Sequence, residues 1–273
     1  MRRRGSSLIV VLLIVAGLAM APARGMAADL AQLLRLPDLA EALRQEGLQD
    51  GAALDREMLE GQGGSYWASE LDRIYDAGRI QAAMRAALQD GLTPAEIAAT
   101  EGFFGSDLGQ RVLGLEISAR VAMRDPDVET AARDRLATLR RAGDPRLAAV
   151  GRYIAAMDLI DRNVASALNS NFAFMRGLSR GGAIEAGDAI LLDQVRAQEA
   201  ETRDQVDSWL TAYLLLSYTP LSDAELTRYT DFVESPAGQA VNKALFSGFA
   251  RLYEEISYTL GLRLAGALAS SRL

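Results

Sequence analysis

Residues 92–112, LTPAEIAATEGFFGSDLGQRV, align without a gap on residues 221–241, LSDAELTRYTDFVESPAGQAV, at an offset of 129. Eight of the 21 positions are identical: Leu92/Leu221, Ala95/Ala224, Glu96/Glu225, Phe103/Phe232, Ser106/Ser235, Gly109/Gly238, Gln110/Gln239 and Val112/Val241. Chance at ordinary residue frequencies gives roughly one or two. A spacing this long does not suit a solenoid array, so the expectation is two divergent copies of one module.

Each copy reads as a short helix turning into a long one. Thr93 and Ser222 stand three residues before Glu96 and Glu225. That is a capping box: the hydroxyl accepts from the third helical amide and the carboxylate reaches back to the cap's own N–H. Pro94 sits at the first helical position. The short helices then span about 94–104 and 223–233, with Ile97, Phe103 and Phe104 matched inward by Leu226, Phe232 and Val233. Ser106 and Ser235 cap the next helices, with Pro236 at the first position of the second. Gly109 and Gly238 fall one turn inside, where glycine costs ~1 kcal/mol relative to alanine, so close backbone packing by the preceding helix is expected there. Gln110 and Gln239 are placed to bond back to the hinge backbone or to contact a ligand.

Elsewhere apolar residues recur at helical spacing, and no alternating β-branched run occurs. One stripe runs Val150, Ile154, Met157, Val164, Leu168 and Met175; others run Trp209, Tyr213, Leu216 and Val241, Leu245, Phe249, Leu252, Ile256, Leu260. The fold expected is all-α, a helical bundle with further helices at about 39–60, 66–90, 126–141, 146–179 and 188–218. GQGGS at 61–65 and RGGAIEAGD at 180–188 read as connectors, since neither has phosphate-loop spacing.

The chain opens with Arg2, Arg3 and Arg4, then an apolar run from Leu8 to Met20, then small residues from Ala21 to Ala28. That order is a secretory signal peptide, with cleavage after Ala23 or Ala27. The run is shorter than the ~20 residues of a spanning helix, so no permanent membrane anchor is expected. The divisions expected are 1–27 signal peptide, 28–142 first helical repeat and 143–273 second helical repeat. Loss of four arginines with the signal takes the net charge from −7 to −11, which disfavours nucleic acid. The absence of cysteine and histidine excludes a disulfide framework, thiol chemistry and Ser-His-Asp arrangements.

Residues 221–250 in particular resemble the bacterial domain-of-unknown-function family DUF2059, whose members carry a T/S-x-x-E-L start, an aromatic short helix and then S/T-P-x-G-Q or S/T-P-x-G-K. Ser235, Pro236, Gly238 and Gln239 carry the resemblance; 92–112 departs from it, with Asp107 in place of the proline. The resemblance implies an exported, helical, periplasmic protein without a known enzyme activity or cofactor.

The function expected is that of a non-enzymatic envelope module binding a protein, peptide or apolar ligand between its helices. Phe172, Phe174, Met175, Phe246, Phe249, Tyr253 and Tyr258 are candidate wall residues, or ordinary core. The competing expectation is a carboxylate-dependent glycan hydrolase, with Asp158 and Asp161 as candidates beside Arg162. No catalytic, cofactor or metal residue is expected under the first reading. Thr93, Glu96, Phe103, Ser106, Gly109, Gln110, Ser222, Glu225, Phe232, Ser235, Pro236, Gly238 and Gln239 are its motif residues, structural or binding.

Overall fold

The computed structural model describes residues 30–270; the expected signal segment and its cleavage point lie outside the described residues. Among these the chain is all-α, with no strand. The helices are α1 (Leu36–Met58), α2 (Gly64–Ile74), α3 (Ala77–Gly91), α4 (Pro94–Phe104), α5 (Asp107–Ala122), α6 (Pro126–Ala142), α7 (Pro145–Ala156), α8 (Leu159–Arg180), α9 (Asp188–Arg196), α10 (Glu199–Tyr218), α11 (Asp223–Glu234) and α12 (Pro236–Ser270).

Three segments that the apolar periodicity joins are each two helices. The expected helix at 66–90 breaks at Asp76, whose side chain caps α3 by accepting from the Arg79 amide. The expected helix at 146–179 breaks at Asp158, a non-glycine residue held in the left-handed region at φ 54°, so the Val150–Met175 stripe is divided between α7 and α8. The expected helix at 188–218 breaks at Ala197 and Gln198. A break of this kind keeps the apolar face inward while redirecting the axis, so periodicity alone does not reveal it.

The core is continuous across residue 142. The 35-residue α12 packs on α2, α3 and α4 from the first part of the chain and on α8 and α11 from the second, while α5 packs on α10. The α8–α12 contact is the most extensive among the described residues. It is close because it is built on glycine: a Cβ on Gly177 would lie 2.2 Å from the Tyr258 carbonyl oxygen, and one on Gly261 2.1 Å from that of Phe174. Asn242, near the start of α12, donates to the Met157 carbonyl at 2.9 Å just before α8, so the two helices run parallel. No helix among the described residues is long and apolar enough to cross a membrane.

Candidate functional site

The two motif stretches form the same local hydrogen bonds. Thr93 and Ser222 each accept from the backbone N–H of the glutamate three residues on, and Glu96 and Glu225 each accept from the cap's N–H at 2.8 Å. Those bonds to the cap, from backbone and then hydroxyl, hold both carboxyls below their ordinary range. Ser106 and Ser235 accept from the amides of Gly109 and Gly238, and their hydroxyls donate to the carbonyls of Phe103 and Phe232.

Gln110 Nε2 donates to the carbonyl of Phe104 at 2.8 Å and to that of Leu33 at 3.0 Å; Gln239 Nε2 donates to those of Val233 and Ala156, both at 2.7 Å. Leu33 and Ala156 stand two residues before the left-handed residues Arg35 and Asp158. Each Gln therefore ties its hinge to the helix end before a left-handed turn. A Cβ at Gly109 would lie 2.3 Å from Phe104 Cα, and one at Gly238 2.3 Å from the Phe232 carbonyl oxygen, so only glycine lets the short helix lie this close to the long one. Phe103 and Phe232 stack on each other at 4.4 Å, bringing the two hinges together, and Arg111 bonds Glu225 at 2.6 Å across the same contact.

Beyond the first hinge, α5 carries two buried charged residues one turn apart. Glu116 is 4% exposed. Its Oε1 accepts from Tyr218 at 2.6 Å and Tyr229 at 3.0 Å, Tyr153 lies 3.0 Å from Tyr229 hydroxyl to hydroxyl, and Tyr213 donates to the Glu116 carbonyl. Burial pushes the Glu116 carboxyl up to about 7, against the lowering pull of the Tyr218 and Tyr229 hydrogen bonds. Arg120, 6% exposed, pairs with Glu46 of α1 at 2.6 Å. Burial disfavours its charge, but Glu46 and nearby tyrosines outweigh that and its proton is held more firmly than usual. A gap of about 20 Å³, the size of one water position, lies between this pair and Leu245 and Phe249 of α12.

Two larger concavities open to solvent. A polar pocket of about 310 Å³ lies where α1, α5, α6 and α10 meet, with Arg120 and Glu46 in its wall and Asp50, Arg124 and Trp209 around it. Asp50 stays open to water at its edge, yet its carboxyl is raised to about 6, first by desolvation in the recess and then by Glu46. A largely apolar groove of about 440 Å³ runs between α6 and α10, lined by Ala132, Leu139, Leu215 and Leu216 together with Arg135, Asp144 and Arg146. Arg135 has no ion pair or hydrogen bond among the described residues.

The aromatic and Met residues singled out in the sequence line neither concavity. Phe246, Phe249 and Tyr253 are buried, and Phe172, Phe174, Met175 and Tyr258 are half-buried. Asp158 and Asp161 are not brought together into a cleft; they are exposed and pair with Arg162 at 3.4 Å and Arg203 at 2.5 Å. Glu116, Arg120 and Asp50 are not among the candidate residues read from the sequence. For the first two a signal existed: at the 129-residue offset they align with Leu245 and Phe249, so charge stands where the matching stretch has core.

A family described as uncharacterized protein conserved in bacteria, DUF2059, matches residues 78–137. It is the family the sequence resembles, and the matched segment contains 92–112, Glu116 and Arg120 rather than 221–250, where the resemblance is read as better. Neither the curated proteins nor the solved structures give a match.

Proposed function

We propose that this chain is an exported, non-enzymatic helical module of the bacterial envelope, built from two divergent copies, that binds a small amphipathic acid in the groove between α6 and α10. The observation that carries the reading is the groove itself. Its volume of about 440 Å³ lies within the usual range for small-ligand sites, its walls are mostly Ala, Val and Leu, the one carboxylate in its lining, Asp144, is engaged in capping α7 through the Arg146 amide, and the Arg135 guanidinium in its lining is unpaired among the described residues. The other guanidinium there, Arg146, is committed to Asp223 and to the carbonyls of Tyr218 and Leu221. Arg135 is thus the free partner for an acidic head, with the apolar body lying along Leu139, Leu215 and Leu216. Export is supported by the order of charged, apolar and small residues at the start of the sequence. The two-copy reading is supported by the matching caps, glycine contacts and glutamine ties.

The test compares a ten-carbon carboxylate with the alcohol of the same chain by calorimetry, alongside native mass spectrometry of protein recovered from the periplasm. The carboxylate is expected to bind at least tenfold tighter than the alcohol. Arg135→Glu should remove that preference, and Leu216→Asp should abolish binding of both. Equal binding of the two probes, or binding unaffected by either variant, contradicts the reading. Purified cell-wall glycan should remain uncleaved; turnover would favour the hydrolase instead.

A further inference from the structure

The polar pocket between α1, α5, α6 and α10 is separate from the groove and has different chemistry. Most of its charges are internally balanced: Arg120 pairs with Glu46, and Glu129 pairs with Arg133 at 2.7 Å. Two are not. Asp50 on α1 accepts no hydrogen bond and forms no ion pair among the described residues. Arg124, just past α5, donates only to Gln49, at 3.3 Å, and has no carboxylate within ion-pairing distance there. Asp50 feels both arginines, since Arg120 and then Arg124 lower its proton affinity, yet neither pairs with it. The apolar part of the wall is Met123, Pro126 and the indole of Trp209, whose ring is held by stacking on Tyr213 at 5.1 Å.

We propose that this pocket binds a zwitterion with an apolar body, a free α-amino acid or a short peptide of that chemistry. The ligand ammonium pairs with Asp50, its carboxylate pairs with Arg124, and its side chain lies against Trp209 and Met123. A simple cation would leave Arg124 unanswered, and a simple anion would leave Asp50 unanswered. Only a ligand carrying both charges satisfies the two groups the fold leaves open, and charge-assisted bonds of this kind are among the stronger polar contacts. The volume of about 310 Å³ admits an amino acid with a branched side chain.

Tryptophan fluorescence tests this directly, because the chain has two tryptophans and Trp67 is buried. The probes are L-leucine, isoamylamine and 4-methylpentanoate, which share the apolar body and differ only in charge. Leucine is expected to change the emission and to bind at least tenfold tighter than either mono-charged probe. Trp209→Phe should eliminate the response. Asp50→Asn should reduce leucine to the affinity of 4-methylpentanoate, and Arg124→Gln to that of isoamylamine. Both variants alter solvent-accessible side chains, and an unchanged circular dichroism melt establishes that they fold. Equal affinity for the three probes, no response to leucine at millimolar concentration, or a response surviving in both variants overturns the proposal.

Discussion

The hinge at 105–110 and the hinge at 234–239 turn in the same way, whereas the helices they launch carry different cores. In both, a serine caps, a glycine admits the backbone of the short helix and a glutamine ties the turn to the end of a distant helix. Two turns further on, α12 places Leu245 and Phe249 in the core where α5 places Glu116 and Arg120. The four side chains meet around the same small gap. The turn is thus fixed by local geometry that leaves few alternatives, while the core positions accept a buried acid and a buried base once partners surround them. For Glu116 those partners are tyrosines of α10 and α11; for Arg120 the partner is Glu46. A buried charge without such partners would cost several kcal/mol.

The comparison predicts that the hinges are equally intolerant of a side chain at their glycines. Gly109→Leu and Gly238→Leu each place a Cβ about 2.3 Å from backbone that belongs to the neighbouring helix. Each should cost about 3 kcal/mol and lower the melting temperature by roughly 6 to 12 °C, measured by calorimetry. A large effect at one glycine and none at the other would break the equivalence.

A smaller effect is expected where the two stretches differ. Arg120→Met removes one partner of a largely buried pair, but Glu46 keeps part of its surface in water and can relax toward it. The loss should be about 2 kcal/mol by urea denaturation, below the full cost of stranding a buried charge. Smaller still are Gln110→Ala and Gln239→Ala. Each removes two hydrogen bonds to carbonyls near helix ends and should cost about 1 kcal/mol, with the two values within about 0.5 kcal/mol of each other.

The hinges were the part of the fold most legible in sequence, because capping boxes, serine caps and a glycine one turn inside a helix are local signals. The breaks at Asp76 and Asp158 were not, since an apolar stripe continues through them. The sites were legible least. Glu116 and Arg120, four residues apart, read as a solvated helix edge unless set against Leu245 and Phe249, and their partners stand 97 to 113 residues away for Glu116 and 74 for Arg120. Asp50 comes from α1, Arg124 from the turn after α5 and Trp209 from α10, and Arg135 is recognisable as unpaired only when its surroundings are known.

The claim that α5 holds an ionisable group where α12 holds core is tested most directly by stability against pH for the wild type and Glu116→Gln. The carboxyl binds its proton more tightly in the folded chain, near 7, than at its ordinary value of 4.5. Between those values the folded state carries the extra proton, so wild-type stability falls as pH rises through that window and levels off above it. The fall attributable to this group is ~3 kcal/mol, and Glu116→Gln should lack it. Urea melts from pH 4 to 8 should therefore show two curves whose separation changes by about that amount. Parallel curves would mean that Glu116 is not held as a buried acid, and the contrast between the two helices would fail.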